Sequence, residues 1–205
     1  MKKFILGSLV IIMFAMFTVP IAEAVSFNDV PSNHWAKKYI DLVSNKGVMN
    51  GTGGGNFSPD AAINRGDFVT VLGAVAGIDT SLYGSSVYTP FTDISGKYYA
   101  TRVRWAYSKG IILGTSPTIF SADTTITREN VCVVIDRYCN QSNITLTSNK
   151  TYVNFTDQSS ISSHAVEAIR RLFMAGMVVG NGNNFRPHSP ATRAELAAMI
   201  YHLLV

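Results

Sequence analysis

Apolar residues recur at positions i, i+3, i+4 and i+7 in three stretches of the chain, which is the spacing of a helix with one buried face. The stripes are Phe68, Val71, Leu72 and Val75; Val131, Val134, Ile135 and Tyr138; and Leu196, Met199, Ile200 and Leu203. A shorter helical pattern precedes each stripe and ends at a glycine, Gly47, Gly110 or Gly176. The pattern predicts an all-α chain of three helix-loop-helix units.

Other landmarks recur with the helices. Phe-x-Asp motifs begin at equal intervals, at Phe27, Phe91 and Phe155. A second glycine of each copy falls at Gly51, Gly114 and Gly180, and a hexapeptide opens each second helix at residues 63–68, 126–131 and 191–196. Such periodicity indicates tandem repeats. A single copy cannot bury both of its stripes, and three copies close more economically into a pseudo-threefold cluster, with a cleft at each junction, than into an open solenoid.

The chain begins with features of a secretory signal. Lys2 and Lys3 precede an apolar run, and Ala22-Glu23-Ala24 has the small-residue pattern of a cleavage site. We expect cleavage after Ala24, a secreted protein and no membrane contact afterwards. An uncleaved membrane anchor is the alternative, although the run is short for a bilayer span. The predicted organisation is a signal at 1–24, repeats at 25–76, 91–139 and 155–205, and linkers at 77–90 and 140–154.

The residues of the hexapeptide predict how each second helix begins. Thr192 and Glu195 form a capping-box pattern, Asn64 and Asp67 form a shorter version of it, and in the second copy the cap rests mainly on Thr127. The arginine that follows each cap residue opposes the helix dipole by about 0.3–1 kcal/mol, so it is expected to have a partner. That partner is either a carboxylate within the fold or an anionic ligand, held together with free N–H groups at the helix start.

Net charge, cysteines and histidines limit the classes of partner and cofactor that the chain is expected to bind. The net charge of +4 comes without a dense Lys/Arg run, so we expect no nucleic-acid partner, whereas an acidic polymer suits the charge weakly. Cys132 and Cys139 lie on one predicted helix about 10 Å apart, beyond disulfide reach, which predicts two unpaired thiols. The two cysteines and the four scattered histidines lack metal-ligand spacing, so no metal or cofactor is expected.

These residues resemble the S-layer homology family over essentially all of the predicted mature chain. The resemblance is carried by Phe27-x-Asp29-Val30 with His34-Trp35-Ala36, by the turn at 110–114, and by Thr192-Arg193-Ala194-Glu195. It implies a pseudo-threefold spindle of three repeats around a central helical bundle. It also implies a cell-wall or S-layer location in Gram-positive-type envelopes, and docking of exported proteins onto secondary cell wall polysaccharide, often pyruvylated and acidic.

The resemblance also implies site residues. The arginines Arg65, Arg128 and Arg193 would hold the acidic group of the polymer. The glycines Gly51, Gly114 and Gly180 would let the backbone approach the sugar, or would terminate helices. Asp29, Asp93 and Asp157 would accept sugar hydroxyls or orient an arginine, or would cap the following turn. Trp35, with Tyr98 and His164 near the corresponding place, would offer a flat face to a pyranose ring, or would be a core residue.

The three copies depart from the family pattern at different positions, and these departures predict which clefts bind ligand less well. Gly66 and Asp67 replace Ala and Glu in the first copy, and the third lacks an aromatic residue where Trp35 stands. In the second copy Glu129 stands beside Arg128 and would neutralise it, so we rank that cleft lowest.

Two other classes of function remain. A wall glycan hydrolase needs two carboxylates in different environments, but the chain has only 13 acids and no Ser/His/Asp or Cys/His pattern, so we expect no enzyme and no catalytic residue. An adaptor or structural envelope protein would instead bind another surface protein through its repeats. No second domain is apparent in the sequence, so the chain is expected to be a small coat component or to carry its cargo as a separate chain.

Overall fold

A computed structural model describes residues 25–205, and the predicted signal at 1–24 lies outside the described residues. Within this range the chain forms α-helices and no extended strand, so the prediction of a mainly α-helical fold is confirmed. The helices are α1 (Lys37–Asn45), α2 (Arg65–Val75), α3 (Ala100–Ser108), α4 (Arg128–Gln141), α5 (Val166–Met174) and α6 (Arg193–Tyr201). Two short 3₁₀ helices cover Thr80–Tyr83 and Gln158–Ser160.

The second helix of each repeat begins at the predicted cap. The Asn64 side chain accepts a hydrogen bond from the Asp67 N–H at 2.7 Å, and Thr127 accepts one from the Asn130 N–H at 3.4 Å. Thr192 and Glu195 form the complete capping box, in which each side chain bonds the backbone N–H of the other residue. The three starts were predictable because a cap depends on residues only three positions apart.

The first helix of each repeat is shorter and has no side-chain cap. Each of these helices ends at a glycine in the left-handed conformation, and the φ angles are 67° at Gly47, 68° at Gly110 and 78° at Gly176. A residue with a Cβ is strained at such a φ, so glycine is suited to turning the chain out of the helix. The predicted ends of these helices are therefore confirmed.

The helices that pack closely against each other come from different repeats. Helix α2 packs against α3, α4 against α5, and α6 against α1. The last of these pairs joins the two ends of the described chain and closes the set. Each packed pair thus consists of the second helix of one repeat and the first helix of the next. The periodicity of the sequence does not reveal that the closest helix packing lies between repeats rather than within them. The overall spindle shape with a central bundle stays a prediction.

A ring of backbone hydrogen bonds closes the three repeats at their centre. Ile63 donates its N–H to the Ala191 carbonyl at 2.9 Å, Ala191 donates to Ile126 at 2.9 Å, and Ile126 donates to Ile63 at 3.1 Å. All three residues are buried. Because each residue both donates to one repeat and accepts from the other, the repeats form a closed cycle rather than an open row.

The predicted apolar stripes form the core. Most of their members are buried, while Val75 and Leu203 pack at its edge. Fully burying an aliphatic or aromatic side chain contributes about 1.5–3 kcal/mol, so this shared core is the main term that holds the repeats together. Among residues 25–205 no helix has the length and apolar character needed to cross a bilayer.

Candidate functional site

The three hexapeptide arginines lie at the junctions between repeats, and each donates to two backbone carbonyls of the next repeat. The pairs are Arg65 Nε to Phe120 O (2.9 Å) and Nη2 to Leu113 O (2.8 Å), Arg128 Nε to Phe185 O (2.9 Å) and Nη2 to Val179 O (3.1 Å), and Arg193 Nε to Phe57 O (2.8 Å) and Nη2 to Asn50 O (2.6 Å). The common partner is therefore backbone, which neither sequence-based alternative named.

Each guanidinium also lies over the ring of the phenylalanine whose carbonyl it binds. The distance from Cζ to the ring centroid is 4.7 Å for Arg65, 5.0 Å for Arg128 and 4.5 Å for Arg193. Burial lowers the pKa of Arg65 and of Arg193, and nearby aspartates oppose that shift. A guanidinium remains charged at neutral pH, so the junctions carry fixed positive charge.

The N–H groups at the starts of the second helices are already occupied. Arg65 and Gly66 donate to the carbonyls of Thr124 and Ala122, and the corresponding pairs in α4 and α6 donate to residues 187–189 and 59–61. The third N–H of each helix is bonded by the cap residue. The expectation that free N–H groups at a helix start hold an anion is therefore wrong, because the neighbouring repeat uses them.

Each aspartate of the Phe-x-Asp motifs binds two successive N–H groups of its own repeat's loop. Asp29 accepts from Phe57 N and Ser58 N at 2.8 and 2.7 Å. Asp93 and Asp157 do the same with residues 120–121 and 185–186. The carbonyl of the same loop phenylalanine receives the arginine from the preceding repeat in the cycle. The aspartates therefore position the arginines indirectly, by holding the loop.

We call the pair of N–H bonds to each aspartate a clamp. It shifts the pKa of two of the three carboxyls. Burial raises the pKa of Asp29, but hydrogen bonds from the N–H groups of Phe57 and Ser58, together with the Arg193 charge, outweigh burial and lower the pKa below its ordinary value. The pKa of Asp157 is lowered in the same way, with Arg128 as the nearby charge. Both groups are ionised at neutral pH.

The second glycine of each repeat lies where no Cβ has room. A Cβ on Gly114 would lie 2.4 Å from the Ile119 carbonyl oxygen, and one on Gly51 would lie 2.6 Å from that of Asn56. At Gly180 the nearest atom, the Asn184 carbonyl oxygen, would be 2.8 Å away. These glycines do not terminate helices, since Gly47, Gly110 and Gly176 do that. They bring the loop close to the Phe-x-Asp phenylalanine and to its own returning backbone.

Trp35 lies just before α1, and 56% of its surface is exposed. The alternative that Trp35 is a core residue is therefore wrong, because the chain has not yet entered the helix at this residue. Tyr98 and His164 stand at the same position before α3 and α5 and are also exposed. Hence each repeat presents an exposed ring beside a junction.

An open cavity of about 450 Å³ lies at the junction occupied by Arg128. Its walls come from all three repeats and include Trp35, Asp60, Arg128, Val179, Gly180, Asn181, Arg186, Thr192 and Glu195. Five residues of the predicted site or its capping box, Trp35, Arg128, Gly180, Thr192 and Glu195, thus meet in one place. The sequence ranking put this cleft last, yet its cavity of about 450 Å³ is far larger than the one of about 20 Å³ beside Arg65.

Charged contacts in this cavity differ from those expected. Arg128 Nη1 lies 2.8 Å from Glu195 Oε1, and Arg186 Nη2 lies 2.6 Å from the same oxygen. Glu129 does not contact Arg128 through its carboxylate. It is buried and accepts from the N–H and the hydroxyl of Ser162, while His188 Nδ1 lies 3.3 Å away. The idea that Glu129 neutralises Arg128 is corrected, because Glu195 of the next repeat takes that place.

Arg186 was missed by sequence reasoning. It stands where the other loops carry Ser58 and Ser121, and its φ of 60° shares their left-handed conformation. The signal in the sequence was that an arginine stands where the other two repeats have serine, since a cation at one of three equivalent positions marks that cleft as different.

Among residues 25–205 no group of three or more His, Cys, Asp or Glu side chains could hold a metal ion. Cys132 and Cys139 are buried and unpaired, as predicted.

A closed ring of three helical repeats, with an arginine at each junction and an exposed ring beside it, defines a repeat-built surface-binding module. The chain belongs to the S-layer homology family, whose domain model matches residues 26–69, 90–131 and 154–197. Each match begins beside a Phe-x-Asp motif and ends inside α2, α4 or α6. The prediction of three tandem S-layer homology repeats is confirmed, while the boundaries of the linkers stay a prediction.

The chain is also similar to parts of much longer proteins. It is 32% identical to an amylopullulanase of Thermoanaerobacterium thermosulfurigenes over 87% of this chain and 9% of the enzyme. It is 30% identical to the exoglucanase XynX of Acetivibrio thermocellus over 89% of this chain and 16% of that enzyme. Over 97% of this chain it is 25% identical to the S-layer protein sap of Bacillus anthracis, of which the match covers 24%.

The chain therefore spans less than a quarter of each of these relatives. The part they share with it is the S-layer homology region, whatever activity the rest of each relative has. Membership of this family, together with the S-layer relatives, identifies a secreted protein of the cell surface that associates with the cell wall.

Proposed function

We propose that this chain anchors itself, and any cargo it carries, to the cell surface by binding an acidic cell wall polysaccharide, expected to be pyruvylated, in the clefts between its repeats. The observation that carries the proposal is the cavity at Arg128. Its volume of about 450 Å³ is in the range of ligand-binding pockets, and an exposed indole and two guanidinium groups meet there.

The chemistry of the junctions suits an acidic sugar chain. Trp35 offers a flat apolar face against which the C–H groups of a pyranose can pack, since its ring is more than half exposed. The arginines supply charge that titration cannot remove at neutral pH, and planar donors that match a carboxylate. In Arg65 and Arg193 the two nitrogens that donate to other residues in the described part of the chain are Nε and Nη2, which leaves Nη1 as a donor for a ligand.

The aspartates contribute by fixing the loops. Both oxygens of each carboxylate are engaged with backbone N–H groups, an arrangement that favours positioning of the loop glycines and arginines over contact with sugar hydroxyls. The same occupancy favours a non-catalytic role, because a glycoside hydrolase needs one carboxyl free to donate a proton and another free to attack or to activate water.

The test is co-sedimentation of the protein, lacking residues 1–24, with purified cell walls. We expect it to pellet with walls that carry their polysaccharide and to stay in solution after chemical removal of the polymer from the peptidoglycan. Trp35→Ala is expected to weaken binding about tenfold, because losing the apolar contact between the indole and a sugar ring costs about 1–2 kcal/mol. The matched control is Tyr88→Ala, which removes another exposed ring in the segment between the first two repeats.

The outcomes separate the classes of function. Binding that survives removal of the polymer would overturn the carbohydrate proposal and favour an adaptor that binds another envelope protein. Equal loss of binding in the Trp35→Ala and Tyr88→Ala variants would remove the cleft from the explanation. Release of new reducing ends from the wall glycan would instead show that the chain is an enzyme.

A further inference from the structure

Each junction builds its cleft from corresponding positions, and we name each cleft by its arginine. The Arg128 cleft consists of Arg128, Gly180, Arg186, Glu195, Asp60 and Trp35. By correspondence of positions, the Arg65 cleft is assigned Arg65, Gly114, Ser121, Asn130, His188 and His164, beside a cavity of about 20 Å³ at Arg65. In the same way the Arg193 cleft is assigned Arg193, Gly51, Ser58, Asp67, Asp123 and Tyr98.

Contacts support this correspondence. The Tyr98 hydroxyl donates to the Asp67 carboxylate, and His164 Nε2 lies 3.4 Å from Asn130 Oδ1. In both cases the residue before a first helix meets the third residue of the second helix from another repeat. Trp35 and Glu195, which hold these positions in the Arg128 cleft, line the same cavity. The three clefts therefore share one geometry, and their differences in charge can be compared position by position.

The Arg193 cleft has more negative than positive charge. Its one guanidinium faces Asp67, whose charge raises the pKa of Arg193 against the effect of burial. The Tyr98 hydroxyl donates to the Asp67 carboxylate, and burial, this hydrogen bond and the charges of Asp67 and Asp123 raise the pKa of Tyr98. An anionic ligand entering this cleft meets two carboxylates for one arginine.

The Arg128 cleft is balanced. Two guanidinium groups, from Arg128 and Arg186, meet the Glu195 carboxylate, and Asp60 adds a second negative charge at the wall. Arg128 is buried, with 4% of its side chain exposed, whereas 40% of the Arg186 side chain is exposed. An acidic group can reach the arginines here only by competing with Glu195.

The Arg65 cleft lacks the opposing carboxylate. Asn130 stands where the other clefts have Asp67 or Glu195, and His188 stands where they have Asp123 or Asp60. The nearest acid on this helix, Glu129, is buried and engaged with Ser162 and His188. Leu113, whose carbonyl binds Arg65, presents an exposed apolar side chain at the rim. Asp93, which binds the loop N–H groups beside Arg65, has the counterparts Asp29 and Asp157 in the other clefts, so it does not distinguish the clefts.

We infer that the three clefts select different parts of the polymer: the Arg65 cleft takes the carboxylate-bearing sugar, and the Arg193 cleft takes a neutral one. The Arg128 cleft takes an acidic group only when that group replaces Glu195 between the two arginines. This inference rests on the proposed function and adds to it which sugar of the polymer each cleft selects. The residue at the third position of α2, α4 and α6 is the determinant, because it sets the charge that faces each arginine.

Two nearly isosteric substitutions test this assignment. Asn130→Asp places in the Arg65 cleft the carboxylate that the Arg193 cleft has, and Asp67→Asn removes it from the Arg193 cleft. The probe is wall polysaccharide released from peptidoglycan, used before and after mild acid hydrolysis that removes its pyruvate ketals. We expect Asn130→Asp to weaken binding of the intact polymer about tenfold, since an added like charge in a binding site costs a comparable amount. Asp67→Asn is expected to strengthen it.

Neither variant is expected to change binding of the acid-treated polymer by more than about twofold, since the charge no longer has a partner. Thermal unfolding of each variant checks the fold, which both changes should preserve because each keeps its acceptor at the third helical position. If the unsubstituted protein fails to bind the polymer, the proposed function itself fails. If it binds and both variants bind the intact polymer as well as it does, the anchor stands and the selectivity inference is wrong.

Discussion

The carboxylate of Glu195, in α6, lies 2.8 Å from Nη1 of Arg128, in α4, so an ion pair joins the third repeat to the second. The arginine is almost completely buried. Removing the negative partner leaves a largely buried positive charge without its counter-ion, which costs more stability than the net value of the pair suggests. The ion pair is therefore a contact on which folding, and not only binding, depends.

We expect Glu195→Gln to lower the free energy of unfolding by about 1–3 kcal/mol, since the glutamine keeps the capping acceptor but not the charge. Urea denaturation measures this. The control is Glu167→Gln, because Glu167 is exposed, lies 3.9 Å from Arg170 and belongs to a surface pair of the kind that contributes little. A loss at Glu167 as large as that at Glu195 would contradict the importance of the buried pair.

The second prediction concerns the close approach at Gly114. An alanine here would bring its Cβ to 2.4 Å from one carbonyl oxygen and 2.5 Å from another, both in backbone that cannot rotate away. We expect Gly114→Ala to destabilise the protein by about 1–3 kcal/mol, the usual effect of overpacking. Gly84→Ala is the control, since its Cβ would meet no atom within 4 Å and its φ is −66°. That variant is expected to be neutral or slightly more stable.

The third prediction concerns acid. The folded state holds the pKa of Asp29 and of Asp157 below the ordinary value of 3.8. The unfolded chain therefore binds more protons in the acid range, and the stability that these groups contribute is present above about pH 4 and is lost as pH falls further. We expect the free energy of unfolding to decline steeply below about pH 4. Replacing both residues with asparagine should flatten that decline, measured by urea denaturation at each pH.

A flat profile in the unsubstituted protein would contradict the role of the aspartates as ionised clamps. A decline of equal steepness in the double variant would assign it to other carboxyls. Asp60→Asn serves as the control, because this aspartate is exposed and belongs to none of the three Phe-x-Asp motifs.

Sequence predicted the helices, their caps and their ends because each of these depends on residues a few positions apart. Thr192 with Glu195, and Gly110 after α3, contain enough information locally to define a boundary. The repeat number followed from three landmarks per copy, and closure followed from counting apolar stripes. These are properties of the pattern, and they required no knowledge of which copies touch.

What sequence could not supply were the partners across repeats. Arg65 binds carbonyls of the second repeat, and a carbonyl has no signature in the side-chain sequence. Asp29 was recognised as a site residue, but its bonds to Phe57 and Ser58 depend on how the loop returns. The exposure of Trp35 was left open between a sugar platform and a core residue, and the ring is exposed because α1 begins only after it. The contacts of Arg65 and Asp29 depend on long-range geometry.

The last prediction concerns the thiols of α4. Burial raises the pKa of Cys132 to about 12 and that of Cys139 to about 11. Since the thiolate is the reactive form, a pKa raised this far keeps the Cys132 thiol protonated at pH 8. We expect iodoacetamide to modify neither residue appreciably in the folded protein and both rapidly in 6 M guanidinium chloride, as followed by mass spectrometry after proteolysis. Cys139 should react first on partial destabilisation, because it borders an open surface cavity near Asn143 and Cys132 does not. Rapid alkylation of Cys132 in the folded state would show that α4 opens locally, and the packing of α4 against α5 would then be looser than the buried positions of both thiols require.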